Sequence, residues 1–425
     1  MSVLFGKVDF EGKPIEPEIF DRARPVLVPY GPDGERVFCK GNFGIAFHAF
    51  HTTKESRSEV QPQVASSGVT FTWDGRLDNR NDLIHQMRGG LSNTSTDLSI
   101  VLSAYERWGC DSFAKLVGDW ALAIWDPRNQ ALVLAKDFVG TRHLYYTVEN
   151  GAATWCSVLD PLILFADRAL VLDEEYIAGW LSFFPAAHLT PYVGIHAVPP
   201  SSFVRLTKRD RNITKYWDLD PATQIRCRND GEYEEGFRIA FAQAVKRRLR
   251  SDNPVLAELS GGMDSSSIVC MADNIIAQES GRLPSLDTIS YYSDAEPNWN
   301  ERPYFVKVEE RRGRSGCHID VSSENPLTFD FHGARFVPTP GSRWHISPAE
   351  DRLTDYMLSC GSRVVLSGIG GDEVTGGVPV PIPELADLLA RAQFKALAHQ
   401  LRQWALNKRR PWFHLLFETV RAFSP

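Results

Sequence analysis

The chain has 425 residues, of which 43 % are hydrophobic, 11 % aromatic and 23 % charged, with a formal net charge of −7. That length exceeds one ordinary domain, and the composition is that of a globular protein with substantial cores. The acidic balance excludes the basic footprint of a nucleic-acid binder, and no window approaches the ~20 apolar residues of a membrane-spanning helix, so neither nucleic acid nor membrane is expected as a partner.

The first residues, Met1-Ser-Val-Leu-Phe-Gly-Lys7, hold too short an apolar run for a secretory signal. Seven scattered cysteines, with no CxxC pair and no histidine cluster, offer no zinc spacing and read as the reduced thiols of a cytoplasm. Residues 37–48 mix turn residues with short apolar runs. Residues 68–73 are β-branched and aromatic, a strand expected to end in a turn at Asp74-Gly75. Residues 97–108 place Leu98, Val101, Leu102 and Tyr105 at helical spacing and stop at Gly109. Two apolar runs, 120–125 and 131–135, flank Asp126-Pro-Arg-Asn129 and predict a hairpin. Together, residues 1–214 read as one α+β domain rich in antiparallel strands.

Residues 215–231 are polar, contain Pro221 and Arg228-Asn-Asp-Gly231, and read as a linker. From 232 to 425 the pattern changes. Strands at 254–259, 285–292, 318–321 and 363–367 alternate with helices at 233–250, 265–279, 302–312 and 348–359. Such alternation argues a parallel sheet with helices on both faces. The tail 384–410 spaces Leu385, Leu388, Leu389, Leu397, Leu401 and Trp404 as an amphipathic helix, with Lys395, Arg402, Lys408, Arg409 and Arg410 on its solvated face. The apolar run 412–417 needs a packing partner, and is expected to lie partly exposed without one.

The most informative segment is Leu256-Ala-Glu-Leu-Ser260-Gly-Gly-Met-Asp264-Ser-Ser-Ser-Ile268. A strand runs into two glycines and then a hydroxyl-rich helix start. Glycine lets the backbone turn tightly and approach a ligand, and the helix N-terminus adds exposed N–H groups and partial positive charge, so the segment is built as an anion site. It is neither GxxxxGK[ST] nor GxGxxG.

This segment resembles the pyrophosphate loop of N-type ATP pyrophosphatases, most closely the asparagine-synthetase family. Val364-Val-Leu-Ser367-Gly-Ile-Gly-Gly371-Asp372-Glu373-Val-Thr-Gly-Gly377 is similar to that family's second motif. The resemblance implies ATP and Mg²⁺ as cofactors. Asp264 and Asp372 would hold the metal against the phosphates, as hard carboxylate oxygens suit Mg²⁺ shared with phosphate. Ser260, Gly261, Gly262, Ser265 and Ser266 would cradle the pyrophosphate, while Ser367, Gly368 and Ser290 would border adenine and ribose. No residue is singled out as catalytic. The implied reaction is adenylation of a carboxylate followed by attack of an amine, with help from positioning and charge neutralisation.

The first half resembles the same family's glutaminase domain through Ala123-Ile-Trp-Asp126, Leu134-Ala-Lys-Asp137-Phe-Val-Gly140-Thr-Arg142-His-Leu-Tyr145-Tyr146, Gly194–Pro200 and Tyr216-Trp217. Its glutamine pocket departs from the pattern. The nucleophilic Cys after the initiator Met is Ser2, the Asn-Gly-Glu is Asp74-Gly75-Arg76, and the arginine expected near residues 47–53 is absent; Asp97 alone survives. Three losses in one pocket argue a dead glutaminase. In the second half, Ile369 stands where the family often has an acidic or phenolic residue, and the chain ends sooner after Asp372 than the pattern, before a late lysine, as if shortened.

The expected architecture is therefore a glutaminase-like α+β domain followed by a parallel-sheet ATP-pyrophosphatase domain, shortened at the C-terminus. The expected activity is an ATP-dependent amide-forming ligase of asparagine-synthetase type, cytoplasmic and without a working glutaminase, acting on a small-molecule or peptide carboxylate. Free ammonia or an amine of the substrate itself would supply the nitrogen. Two alternatives stay open: an intramolecular cyclase of the lasso-peptide or β-lactam kind, and a non-catalytic homologue that binds nucleotide or a partner. A homodimer and a separate partner subunit are both compatible with the exposed tail.

Overall fold

The computed structural model describes residues 1–87, 89–166, 169–279, 281–295, 300–322, 348–375 and 380–423. Gly377 of the second motif lies outside them.

The first domain is built on two six-stranded antiparallel sheets. One runs in the order Ile195–Ala197, Tyr145–Glu149, Ala152–Cys156, Val3–Asp9, Phe43–His48, Glu35–Lys40. The other runs Arg211–Lys215, Ser202–Leu206, Ala131–Lys136, Gly118–Asp126, Thr70–Leu77, Gln63–Val64. The strand Gly118–Asp126 explains the stacking of layers. Ala121, Ala123 and Trp125 face the first sheet, where the ring of Trp125 stacks on Phe43 with centroids 5.5 Å apart. Trp120, Leu122 and Ile124 face the helix Asp97–Trp108 on the other side. Alternate residues thus enter two cores, and the strand reads as an unbroken apolar run. Helices Glu18–Leu27 and Asp160–Leu164 cover the outer face of the first sheet.

One expectation is corrected here. Asp74-Gly75 is no turn: the strand Thr70–Leu77 runs through it, pairing Asp74 with Ala121, Gly75 with Trp120 and Arg76 with Asp119. A Cβ at Gly75 would stand 2.6 Å from the carbonyl oxygen of Asp119 and from the Trp120 Cβ. The glycine serves close strand packing, a use of glycine that a dipeptide rule for turns does not separate from a bend.

The second domain has a four-stranded parallel sheet in the order Cys317–Asp320, Leu286–Tyr292, Val255–Glu258, Val364–Leu366. Val255 and Ala257 pack with Val245, Val269, Ala272 and Phe305 of the helices Asp230–Arg248, Met263–Gln278 and Arg302–Arg312. Leu256 packs on the other face with Ile289, Ile319 and Ala349 of the helix Pro348–Cys360. Val255–Glu258 lies between strands reached in opposite directions. The loops leaving its carboxyl end and that of Val364–Leu366 therefore meet at a switch point, the ordinary ligand position in an open α/β sheet.

The tail also differs from expectation. The stretch 384–410 is two helices, Pro381–Ala390 and Phe394–Lys408, broken where Ala392 takes a left-handed φ of 54°. With Trp412–Arg421 they close a small core of Leu385, Leu397, Leu401 and Leu415. Lys395, Arg402, Arg409 and Arg410 face solvent, while Lys408 is half-buried beside the Trp404 ring. Leu415 is buried, but Trp412, Phe413 and Phe417 are 53 %, 54 % and 66 % exposed, so the run is partly exposed as its composition suggests. Among the described residues, no helix is long and apolar enough to cross a membrane.

Candidate nucleotide site and interdomain cavity

The loop after Val255–Glu258 is knitted by its own hydroxyls. The Ser260 N–H donates to Ser265 Oγ (3.1 Å), the two hydroxyls lie 2.9 Å apart, and the Gly262 N–H donates to Ser260 Oγ (3.1 Å). Ser260 and Ser265 thus fasten the loop to the helix Met263–Gln278, leaving its first-turn N–H groups without intrahelical acceptors. Gly261 passes under Tyr304, whose Cβ a side chain would meet at 2.8 Å. The Ser266 N–H turns inward to the Gly262 carbonyl (3.3 Å) and is already helix.

The second motif lies against this loop. A Cβ on Gly371 would stand 2.5 Å from the Asp264 carboxyl, and one on Gly368 would stand 3.0 Å from the Ser265 nitrogen. Asp264 thus lies against the residue before Asp372, which is exposed in the first turn of Gly371–Thr375. Two carboxylates beside an open helix N-terminus fit a hard cation shared with phosphates. Among the described residues, no cluster of three or more His, Cys, Asp or Glu side chains offers an all-protein metal cage. Ser367 Oγ donates to Glu258 at the end of the central strand. Ser290, on the neighbouring strand, is 1 % exposed, and its hydroxyl has no partner among the described residues. Ile369 is 92 % exposed.

The residues read as a glutamine pocket separate into two places. Ser2, Asp74, Gly75 and Arg76 line one end of a cavity of about 760 Å³ between the domains, together with Met1 and Arg142; Ser367 and Ile369 line its other end. Ser2 Oγ accepts from the Phe50 N–H (2.9 Å). Burial pushes the Asp74 carboxyl up, opposed by the charges of Arg142 and the N-terminal amine and by the Ser2 N–H. Burial also drops the Met1 amine to about 6, with Asp74 opposing. Asp97 faces elsewhere. Its carboxylate accepts from the Leu77 N–H (2.8 Å), from Arg80 and from Arg250 (2.7 Å). Arg76 is 6 % exposed and points at the second domain.

Comparison with known proteins agrees with this division. Residues 1–217 match the family model of a glutamine amidotransferase domain, and residues 236–423 match that of asparagine synthase. The chain belongs to the asparagine synthetase family. It is 28 % identical over 405 residues to a protein of Bacillus subtilis named glutamine-hydrolysing asparagine synthetase 3, covering 89 % of this chain and 63 % of the relative. It is 28 % identical over 311 residues to the amidase chyE of Penicillium rubens, covering 67 % of this chain and 43 % of the relative. The chain thus spans under two thirds of the length of these relatives. A solved glutamine phosphoribosylpyrophosphate amidotransferase of Bacillus subtilis covers 86 % of this chain and 90 % of its own at 13 % identity, with a TM-score of 0.37.

Within this asparagine-synthetase scaffold, three functional features escape the sequence. Glu258 sits inside a strand and shows its role only through Ser367. Arg363 lies over the Phe50 ring at 3.9 Å and pairs with Asp33 (2.8 Å), so a guanidinium from the second domain reaches the stretch where the pocket's own arginine is absent. The third is the run Lys246-Arg-Arg-Leu-Arg250, an ordinary basic helix end in the sequence, whose arginines meet carboxylates of the first domain.

Proposed function

We propose that this chain is an ATP-dependent amide-forming ligase that adenylates a carboxylate and has no working glutaminase. The observation that carries the reading is the contact of the Asp264 carboxyl with Gly371, next to Asp372, at the carboxyl ends of two adjacent parallel strands. ATP would lie with its phosphates at the Met263–Gln278 N-terminus; Mg²⁺ held by Asp264 and Asp372 would neutralise charge on them. The substrate carboxylate attacks the α-phosphorus and pyrophosphate leaves. An amine then attacks the acyl carbon, and AMP leaves with formation of the amide. The chain's own residues bind and orient: Ser260 and Ser265 hold the loop, and Ser367, Gly368 and Ser290 border the nucleoside. Ser2, Arg76 and the engaged Asp97 support a first domain that no longer hydrolyses glutamine, so the nitrogen comes from free ammonia or from the substrate.

The test is exchange of labelled pyrophosphate into ATP, driven by a panel of carboxylates that includes aspartate. The reading expects carboxylate-dependent exchange that Asp264→Asn abolishes. No exchange with any member, together with an unchanged melting curve in millimolar ATP–Mg²⁺, would favour the non-catalytic homologue.

A further inference from the structure

The helix Asp230–Arg248 has nineteen residues, yet Val245 is its one buried residue, so packing on its own sheet holds it loosely. Its C-terminal end is held from the other domain. Arg76 Nη2 donates to the Arg247 carbonyl (2.6 Å) and Nη1 to the Arg248 carbonyl (3.5 Å). Both carbonyls lie in the last turn, at the negative pole of the helix dipole, and that of Arg247 also accepts from the Arg250 N–H (3.4 Å). From the helix side, Arg247 pairs with Asp82 (2.7 Å), and Arg248 with Asp78 (3.0 Å) and Asp119 (2.8 Å). Arg250 reaches Asp97 (2.7 Å), Glu55 (3.3 Å) and the Leu77 carbonyl (3.1 Å). Arg76 closes the circuit through Asp78 (2.9 Å).

We propose that Arg76 and Asp97 are the fastening between the two domains: they hold the Arg247–Arg250 segment and so position the helix Asp230–Arg248. The inference stands on the interface geometry and does not depend on the ligase reading. Its chemistry is that of buried charge. Arg76 and Asp97 are each 6 % exposed, and an ion of either sign in that setting requires a partner. Each finds its partners across the domain boundary as well as within its own domain. Three donors of the Arg76 guanidinium are committed in this way, and Asp97, held by two arginines and a backbone N–H, has no free face for an ammonium group.

The consequence reaches the cavity. Phe241, Ala244, Val245 and Arg248 of the helix form one wall of the passage that joins Ser2 and Asp74 to Ser367 and Ile369. Where Arg76 holds the helix end, it sets the width of that passage. Arg76 is thus a positioning residue acting through the helix.

The experiment is hydrogen exchange and calorimetry on the intact chain. Wild type is expected to unfold in one transition, with the amides at the helix end protected. In Arg76→Ala those amides exchange about tenfold faster, because the local opening free energy falls, while the amides of Thr70–Leu77 keep their protection; the calorimetric peak splits in two. Arg76→Lys, which keeps the charge but not the two-pronged donor, gives an intermediate rate and serves if the alanine variant fails to fold. Unchanged exchange at the helix end in both variants, or a shift of the melting temperature by glutamine that Arg76→Ala removes, would overturn the proposal.

Discussion

Two regions of this molecule line one cavity and differ in what their polar side chains are free to do. At the Ser367 end, the two motifs that resemble the family's lie against one another, with Gly368 and Gly371 at the points of close approach to Ser265 and Asp264. In the first domain, two charged residues of the stretch that resembles a glutamine pocket are engaged elsewhere. Asp97 is bound by Arg80 and Arg250, and Arg76 by Asp78 and by a helix end of the other domain. The difference teaches that a buried charge finds a partner wherever the fold offers one. An unpaired buried charge is costly, and here the partners come from both domains.

The largest effect expected is at the Ser367 end. Asp264→Asn removes the carboxylate that Gly371 packs against without altering its size, and should lower pyrophosphate exchange by on the order of 10²–10³, the usual loss for one preorganised electrostatic group. The same variant should lose the rise in melting temperature that ATP–Mg²⁺ gives wild type by mass action. A variant that keeps full exchange would remove Asp264 from the site.

A smaller effect tests the glycine rather than the acid. Gly371→Ala puts a methyl where the Asp264 carboxyl now lies, at 2.5 Å. The clash should cost about 1–3 kcal/mol, shared between displaced Asp264 and a weakened motif. Urea unfolding measures the stability, and ATP titration measures the binding. Equal loss at Gly370, where a Cβ would meet nothing within 4 Å but φ is 94°, would show backbone strain rather than crowding at work.

The two ends also differ in how far the sequence reveals them. The nucleotide loop is legible because its chemistry is local: strand, glycines, hydroxyls and acid follow one another within a dozen residues. The strand and helix periods of the second domain are equally local, and the helix 302–312 emerges with the boundaries its composition suggests. The interdomain contacts are not legible, because Arg76 and Arg247 lie far apart in the chain and nothing in Lys246-Arg-Arg-Leu-Arg250 distinguishes a solvated basic end from a paired one. Asp74-Gly75 misleads for the converse reason. The dipeptide is a strong local turn signal, overridden by the flanking β-branched and aromatic residues that carry the strand onward.

Two carboxyls of the first domain should contribute to the pH dependence of stability with opposite signs. Burial alone would raise the Asp119 carboxyl, but hydrogen bonding to Arg248 and its charge bring it below the ordinary 3.8. Its contribution is present above pH 3.8 and is lost as the pH falls through the lower folded value. Glu59 works in the opposite direction. Burial pushes its carboxyl up from 4.5 to about 7, against hydrogen bonds from the Leu98 N–H and Gln61. Its contribution is complete below pH 4.5 and lost as the pH rises through about 7. Glu59→Gln should flatten the stability curve between those values, where one such group gives at most about 1.4 kcal/mol per pH unit. An unchanged slope in denaturant melts across that window would place the titrating group elsewhere.

The smallest effect expected is none at all, and it sharpens the comparison most. If the glutamine pocket failed only for want of a nucleophile, Ser2→Cys would restore it, since a thiolate is far the better attacking group. The surroundings argue otherwise. The carboxyl of Asp74 is 2 % exposed and lies beside Ser2, where the resembled pattern has an asparagine with fixed amide N–H donors. The acid that would hold an α-ammonium is replaced by Arg76, itself committed to the Arg247 and Arg248 carbonyls, and Asp97 is shared between two arginines. Ammonia release from glutamine should therefore stay at background in wild type, in Ser2→Ala and in Ser2→Cys alike. Release above background in wild type that Ser2→Ala abolishes would mean the hydroxyl is itself a working nucleophile. Release that appears only in Ser2→Cys would mean that the pocket still receives glutamine, and that Arg76 and Asp97 can leave their interdomain partners to admit it.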